Sequence, residues 1–291
     1  MTLTKNGQTI IGIVGLGTVG DAVRDFFEGR GHSLRMFDRE RGLGSQRSLN
    51  EADLVVVCVP APYRPEGGFD DSALEEAISL LDGSKVVVIT STVLPGTTEA
   101  YQIRYSQHCF LFNPQFLRDA HARTDFARPD RQILGYTAQS RHLAEAILGM
   151  LPAAAFRSVM PSREAEMAKY MTNGFLALKV TFANEIYDLC AALDMDYDLV
   201  REAVAADPRI GASHLDVLAD GYRGYAGNHL PKDTKSLLEL SERLHVPLHL
   251  LRAADRVNAT LLPPGEESDA LRPLPFSPDG GHEEDTEEQA A

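Results

Sequence analysis

The chain has 291 residues, 44% of them hydrophobic, and a formal net charge of -14. That is enough apolar material for one or two packed domains, and the excess of acid speaks against a nucleic-acid or anionic-membrane partner. Between positions 263 and 291 nine acidic residues face one basic residue, Arg272, so -8 of the net charge is local and -6 is left for the body. That stretch is dominated by Pro, Gly and acids and can bury little, which predicts a disordered, solubilising acidic tail over 263–291. The three cysteines, Cys58, Cys109 and Cys190, lie in apolar segments without metal-ligand spacing, as expected of a reducing cytoplasm and of a chain without a metal site. No charged-then-apolar signal pattern opens the chain, and no apolar run reaches the ~18 residues of a membrane span.

Residues 9–14 form a short β-rich run, followed by GLGTVG at 15–20 and a helical pattern at 21–31 closed by Gly29 and Gly31. Strand, glycine turn and helix are the setting a dinucleotide fingerprint needs. Gly15 permits the tight turn, Gly17 lets backbone approach a pyrophosphate, and Gly20 lets helix and strand pack closely. The free N–H groups at the helix start then face the phosphates. A second strand, 33–38, ends in Asp38, whose carboxylate suits the adenosine ribose hydroxyls and repels a 2′-phosphate. Asp38 therefore favours NAD over NADP, while Arg39 and Arg41 pull the other way.

The α/β rhythm continues with a strand at 54–59, a helix at 70–81, a strand at 85–89, and STVLPGTTE at 91–99 leading into a helix. A strand at 109–112 is followed by an Arg-rich loop over 113–130, then a strand at 132–134, a helix at 140–150 and a strand at 154–159. Alternating strands and helices predict a Rossmann-type, doubly wound parallel sheet with its site at the strands' carboxyl ends. Pro161 marks the predicted boundary between a domain at 1–160 and a second, all-helical one at 161–262. The latter opens with a long helix over 162–193, in which Ser162 is a cap and Glu164 and Glu166 suit the positive end. Apolar positions run nearly all round this helix, which predicts burial of most of its surface. Lys169 and Asn173, four residues apart, share one face. Together they can hydrogen-bond an oxygen that alternates between alcohol and carbonyl; the plainer alternative is a snorkelling Lys and an exposed Asn.

The chain resembles the UDP-glucose/GDP-mannose dehydrogenase family. The blocks that carry the likeness are GLGTVG, CVPAPYRPEGGFDDSALEEA, STVLPGTTE, NPQFLRDAHARTDFARPDRQILG, EMAKYMTNGFLALKVTFANEI, DPRIG and GYAGNHLPKDTKSLL, in the family's order over about residues 9–240. The resemblance implies a Rossmann domain and a helical domain through which the enzyme forms a homodimer. It implies NAD contacts from Gly15, Gly17, Thr18, Val19, Gly20, Asp38, Arg39, Val59, Pro60, Thr92, Asp119 and Lys232. Substrate contacts are implied for Phe116, Leu117, Arg118 and Gly227, and for Arg209 on the partner subunit's substrate. Lys169, Asn173 and Asp233 match catalytic positions. More distantly, the arrangement is similar to the β-hydroxyacid dehydrogenases, where a Lys–Asn pair serves a single hydride transfer.

Departures from the family pattern bear on the reaction. Family members oxidise a primary alcohol twice, through a thioester on a Cys; in GYAGNHLPKD that position is His229. An imidazole does not readily replace a thiolate as an acyl carrier. Gln115 and Asp119 stand where Glu is usual, and the third domain that completes the family's nucleotide-sugar site is expected to be missing. These features predict a two-electron alcohol/carbonyl oxidoreductase acting on a small anionic substrate (phosphate, phosphonate or carboxylate). A nucleotide-sugar 6-dehydrogenase working without the usual Cys and a non-catalytic NAD-binding protein are the alternatives. Lys169 then polarises the carbonyl or accepts the hydroxyl proton, Asn173 fixes the oxygen, and Asp233 holds the Lys or a water. His229 is either a general acid/base or a loop residue left where Cys was lost. Arg118, Arg123, Arg128 and Arg131 read either as an anion site or as a solvated face paired with Asp119, Asp125 and Asp130.

Overall fold

The computed structural model describes residues 9–64, 66–218, 221–227 and 229–262. The acidic tail read from the sequence lies outside the described residues.

The first part of the chain is a seven-stranded sheet. In chain order its elements are β1 (Ile11–Val14), α1 (Thr18–Glu28), β2 (Leu34–Phe37), α2 (Gln46–Leu49), β3 (Leu54–Val57), β4 (Tyr63–Arg64), β5 (Gly68–Phe69), α3 (Ser72–Ser79), β6 (Val86–Ile89), α4 (Thr97–Arg104), β7 (Cys109–Phe112), α5 (Ala122–Ala127), β8 (Arg131–Tyr136), α6 (Ala144–Met150) and β9 (Phe156–Pro161). The strand order is β2-β1-β3-β6-β7-β8-β9, with β4 and β5 paired apart as a small hairpin. The central strands LVVV, VVVI and CFLF are buried at every position. Covered on both faces, they are continuously apolar rather than alternating, and each fully buried Val, Ile or Phe contributes on the order of 1.5–3 kcal/mol.

The sheet is mixed, which corrects the all-parallel expectation. β7 and β8 pair antiparallel, through Leu111 with Tyr136 and Phe112 with Gly135, whereas β8 and β9 are parallel. The cause lies in residues 113–130. Instead of crossing back over the sheet, this connection folds a short helix, α5, onto α1, with the Phe126 and Phe26 rings edge to face at 5.5 Å. The chain thus enters β8 beyond the end of β7, and Arg131 lies over the Phe116 ring at 3.8 Å. This reversal brings the start of the next helix, α7 (Ser162–Ala192), to the carboxyl end of β7 and against α4.

α7 is followed by α8 (Tyr197–Ala205), α9 (Leu230–Arg243) and α10 (His249–Leu261), and α9 and α10 pack on α7. Three expectations are corrected. Between α8 and α9 the described residues form turns rather than helix, because a Pro and several glycines with positive φ interrupt the pattern. Ser162 is no cap: Pro161 holds the cap position, and the buried Ser162 hydroxyl has no partner. Nor is α7 buried all round; one side exposes Met171, Phe175, Phe182 and Leu189. Among the described residues no helix is long and apolar enough to cross a membrane.

Candidate active site

One cleft of about 750 Å³ runs along the carboxyl ends of the strands, from the β2–α3 side to α7 and the start of α9. The glycine turn forms its floor. Gly15 has φ +84°, and a Cβ on Gly20 would lie 1.9 Å from the Gly15 carbonyl oxygen, so the turn and helix α1 cannot close with larger residues. A Cβ on Gly17 would meet nothing within 4 Å, so backbone there faces open space at the helix start.

Asp38 stands at the end of β2. Its Oδ2 accepts from Leu16 N–H at 2.7 Å and its Oδ1 from Arg41 N–H at 2.8 Å. Burial works against its charge, but the Arg41 and Leu16 N–H groups outweigh it and hold the carboxyl below its usual pKa. Gly15, Gly17, Thr18, Val19, Asp38, Arg39, Val59, Pro60, Thr92, Leu117, Asp119, Lys169, His229 and Lys232 all line the cleft. Gln115 also lines it, and its side-chain amide donates to Asn113 Oδ1 at 2.6 Å.

At the far end a chain of hydrogen bonds joins α7 to α9. Asn173 Nδ2 donates to Asp233 Oδ2, and Lys232 Nζ donates to Asp233 Oδ1 at 2.5 Å. With its amide nitrogen so committed, Asn173 turns its Oδ1 toward Lys169 Nζ, 3.4 Å away. Asp233 thus holds Asn173 rather than Lys169. Lys169, Asn173 and Asp233 are all buried, so the snorkelling alternative for Lys169 falls away. Desolvation lowers the Lys169 pKa to about 8, against the pull of Asp233, with Lys232 and Arg131 adding to the lowering. The ammonium also sits 5.3 Å from the centre of the Phe116 ring.

His229 stands at the N-terminal boundary of α9, and its Nε2 lies 3.0 Å from Asp119 Oδ1, so this pair bridges the two walls of the cleft. The structure does not bring every predicted residue to the cleft. Arg118 is exposed and clamps Asp125 with two side-chain hydrogen bonds. Arg123 pairs with Asp25, so two of the four clustered arginines are neutralised by acids. Arg209 is exposed and bound to Asp207, and neither it nor Gly227 lines the cleft.

Two features of the cleft and its surroundings escaped sequence reasoning. Cys58 is on the wall, but burial pushes its thiol up to about 12 although a hydrogen bond with Thr90 lowers it. Glu166, one turn before Lys169 and fully buried, accepts from Gly96 N–H at 2.6 Å, Thr98 N–H at 2.9 Å and the Thr98 hydroxyl at 2.6 Å. It caps α4 rather than its own helix and ties α7 to the segment that carries Thr92.

Comparisons with known proteins agree on one relationship. Residues 39–148 match the NAD binding domain of the UDP-glucose/GDP-mannose dehydrogenase family, and residues 163–260 match its central domain. A UDP-glucose 6-dehydrogenase of Pseudomonas aeruginosa is 33% identical over 230 residues, covering 72% of this chain and 49% of its own length. The solved structure of a UDP-glucose dehydrogenase from Pyrobaculum islandicum superposes with a TM-score of 0.78 at 29% identity, covering 89% of this chain and 70% of that one. A 3-hydroxyisobutyrate dehydrogenase of Mycobacterium tuberculosis shares the fold, with a TM-score of 0.68 at 16% identity over 87% of this chain and 93% of that one. The chain spans about half the length of the curated relatives it matches. Its first part carries an NAD-binding domain, and the chain belongs to the UDP-glucose/GDP-mannose dehydrogenase family.

Proposed function

We propose that the protein is an NAD-dependent oxidoreductase that moves one hydride between the cofactor and the CH–OH or carbonyl carbon of an anionic substrate. The names of its relatives favour a nucleotide sugar over the smaller phosphate, phosphonate or carboxylate compounds. The observation that carries this reading is Lys169 on the wall of the cleft, backed by the buried Asn173 and Asp233 to which it is linked.

The glycine turn, the helix start behind it and the Asp38 carboxylate fit a dinucleotide, with Thr92, Val59 and Pro60 along the same wall. NAD supplies a hydride acceptor there. Lys169 does the proton work: with its pKa near 8, neutral Nζ takes the hydroxyl proton in oxidation and the ammonium returns it in reduction. Asn173, fixed by Asp233, holds Lys169 in place and orients the reacting oxygen. The Asp233 charge, shared with Lys232, steadies the ammonium once it forms. The substrate loop contributes Leu117 to the cleft wall and the Phe116 ring beside Lys169. His229, held by Asp119, is placed to relay protons at the mouth of the cleft.

The division into 1–160 and 161–262 is part of the proposal, supported by the change from sheet to helices at Pro161. So is a two-fold homodimer, supported by the exposed stripe of Met171, Phe175, Phe182 and Leu189 on α7. A stable monomer at micromolar concentration in light scattering refutes the dimer.

The reaction is tested by NADH yield on a panel of nucleotide sugars, hydroxy acids and phosphonate or phosphate alcohols. One NADH per aldehyde or ketone is expected. Two NADH per carboxylate, or a cysteine adduct in the mass spectrum of the unaltered chain, overturns the single-hydride reading.

A further inference from the structure

The adenosine end of the cleft lies between the end of β2 and helix α3, with Asp38, Arg39 and Glu40 on one side and Ala73 and Glu76 on the other. In dinucleotide-binding folds an acid at this position takes the ribose hydroxyls, and a nearby Arg accommodates a 2′-phosphate. This chain has both kinds of residue in sequence, Asp38 followed by Arg39 and Arg41. In the structure both arginines are engaged by acids other than Asp38. Arg39 Nη1 reaches across the cleft mouth to Glu76 Oε1 at 2.5 Å. Arg41 Nη2 turns to Asp21 Oδ2 at 3.2 Å, and Asp21 is held in turn by Arg24 at 2.7 Å.

We propose that Glu76 is a cofactor-specificity residue: by holding Arg39 across the adenosine end of the cleft, it masks a guanidinium that would otherwise receive the 2′-phosphate of NADP(H). The proposal rests on the NAD-binding assignment and extends it to a residue outside the fingerprint. Arg39 and Glu76 are 74% and 51% exposed at their side chains, so their ion pair is a weak one in water. A doubly charged phosphate competes for Arg39 as soon as the acid is removed. Glu76 also adds a second negative charge beside Asp38, and the test must separate that repulsion from the masking of Arg39.

Dissociation constants of NADH and NADPH are measured by nicotinamide fluorescence on the full chain. The proteins are the unaltered form, Glu76→Gln, Arg39→Gln and the double variant, each also in an Asp38→Ser background where the direct repulsion of NADPH is removed. Glu76→Gln is expected to shift the NADPH/NADH affinity ratio toward NADPH by about 3–10-fold, and Arg39→Gln to abolish that gain. An unchanged ratio in Glu76→Gln in both backgrounds overturns the proposal. A gain that persists in the double variant also overturns it, because Glu76 would then act by its own charge. Failure of the unaltered chain to bind either cofactor strikes the NAD assignment itself and is a separate result.

Discussion

Replacing Lys169 by Met should make the protein more stable while removing its activity. Lys169 is 7% exposed and its pKa falls from 10.5 to about 8. A shift of that size corresponds to about 3 kcal/mol of preference for the neutral amine in the folded state. The sign follows from proton counts. Between pH 8 and 10.5 the unfolded chain keeps the Lys169 proton and the folded chain releases it, so this group makes stability rise with pH across that window. Below pH 8 the folded protein carries a desolvated ammonium and the full penalty. Met has a similar length and no charge, and Asp233 keeps Asn173 and Lys232 as partners. Lys169→Met should therefore gain up to about 3 kcal/mol over the native chain at pH 7, with the gain vanishing near pH 10.5. Urea unfolding of both proteins at pH 7, 8.5 and 10 measures the difference. Turnover should fall by about 10²–10⁴-fold. A variant less stable than the native chain at pH 7, with no change in the difference toward pH 10, refutes the reasoning: the ammonium would then be fully satisfied where it lies.

Glu166→Gln probes the opposite case. Burial pushes the Glu166 carboxyl up to about 7, against the hydrogen bonds from Thr98 and Gly96, so the folded chain holds a proton that the unfolded chain releases above pH 4.5. Its stability contribution is present below pH 4.5 and lost as pH rises through 7, so Glu166→Gln should gain about 3 kcal/mol relative to the native chain between pH 4.5 and 8. Thermal unfolding across that range checks it, and a difference that moves the other way shows that the α4 cap favours the ionised form. His229→Ala separates relay from remnant: a loss of about 10²-fold or more in turnover marks a proton-transfer role, and near-native turnover on the same substrate shows that the residue only bridges to Asp119.

What could be read from the sequence was local. The glycine turn is legible because strand, turn and helix adjoin, and the Lys169–Asn173 pairing because four residues set one helical face. Asp233 lies 60 residues from Asn173, and only the family likeness pointed to it. The Glu166 contacts with Thr98 span 68 residues, and the sequence showed only that an acid near the start of a helix suits the dipole; which helix it serves depends on packing. The direction of β8 was hidden for a similar reason. Residues 113–130 contain a helix too short to read by periodicity, and whether a connection crosses a sheet or turns back is decided by what it packs on. Of the four clustered arginines two are paired with acids, one at short and one at long separation, Arg118 with Asp125 and Arg123 with Asp25.

The cleft offers two lines of proton-bearing groups and no usable thiolate. Cys109 and Cys190 are buried away from it, and Cys58, though on its wall, has a thiol pushed up to about 12. A thiol at that value is protonated at any working pH and is a poor nucleophile. An acyl-enzyme route needs a nucleophile whose leaving ability and attack are both good near neutrality, and His229 is instead engaged with Asp119 at the mouth. In the proposed hydride transfer Lys169, with a pKa of about 8, would be the base that takes a hydroxyl proton and, as an acid, gives it back. The same burial that lowers the Lys169 pKa makes its ammonium costly to the fold, and Asn173, held by Asp233, is the group that keeps it in place. The stability measurement on Lys169→Met and the hydride count on substrate therefore examine one arrangement from two sides.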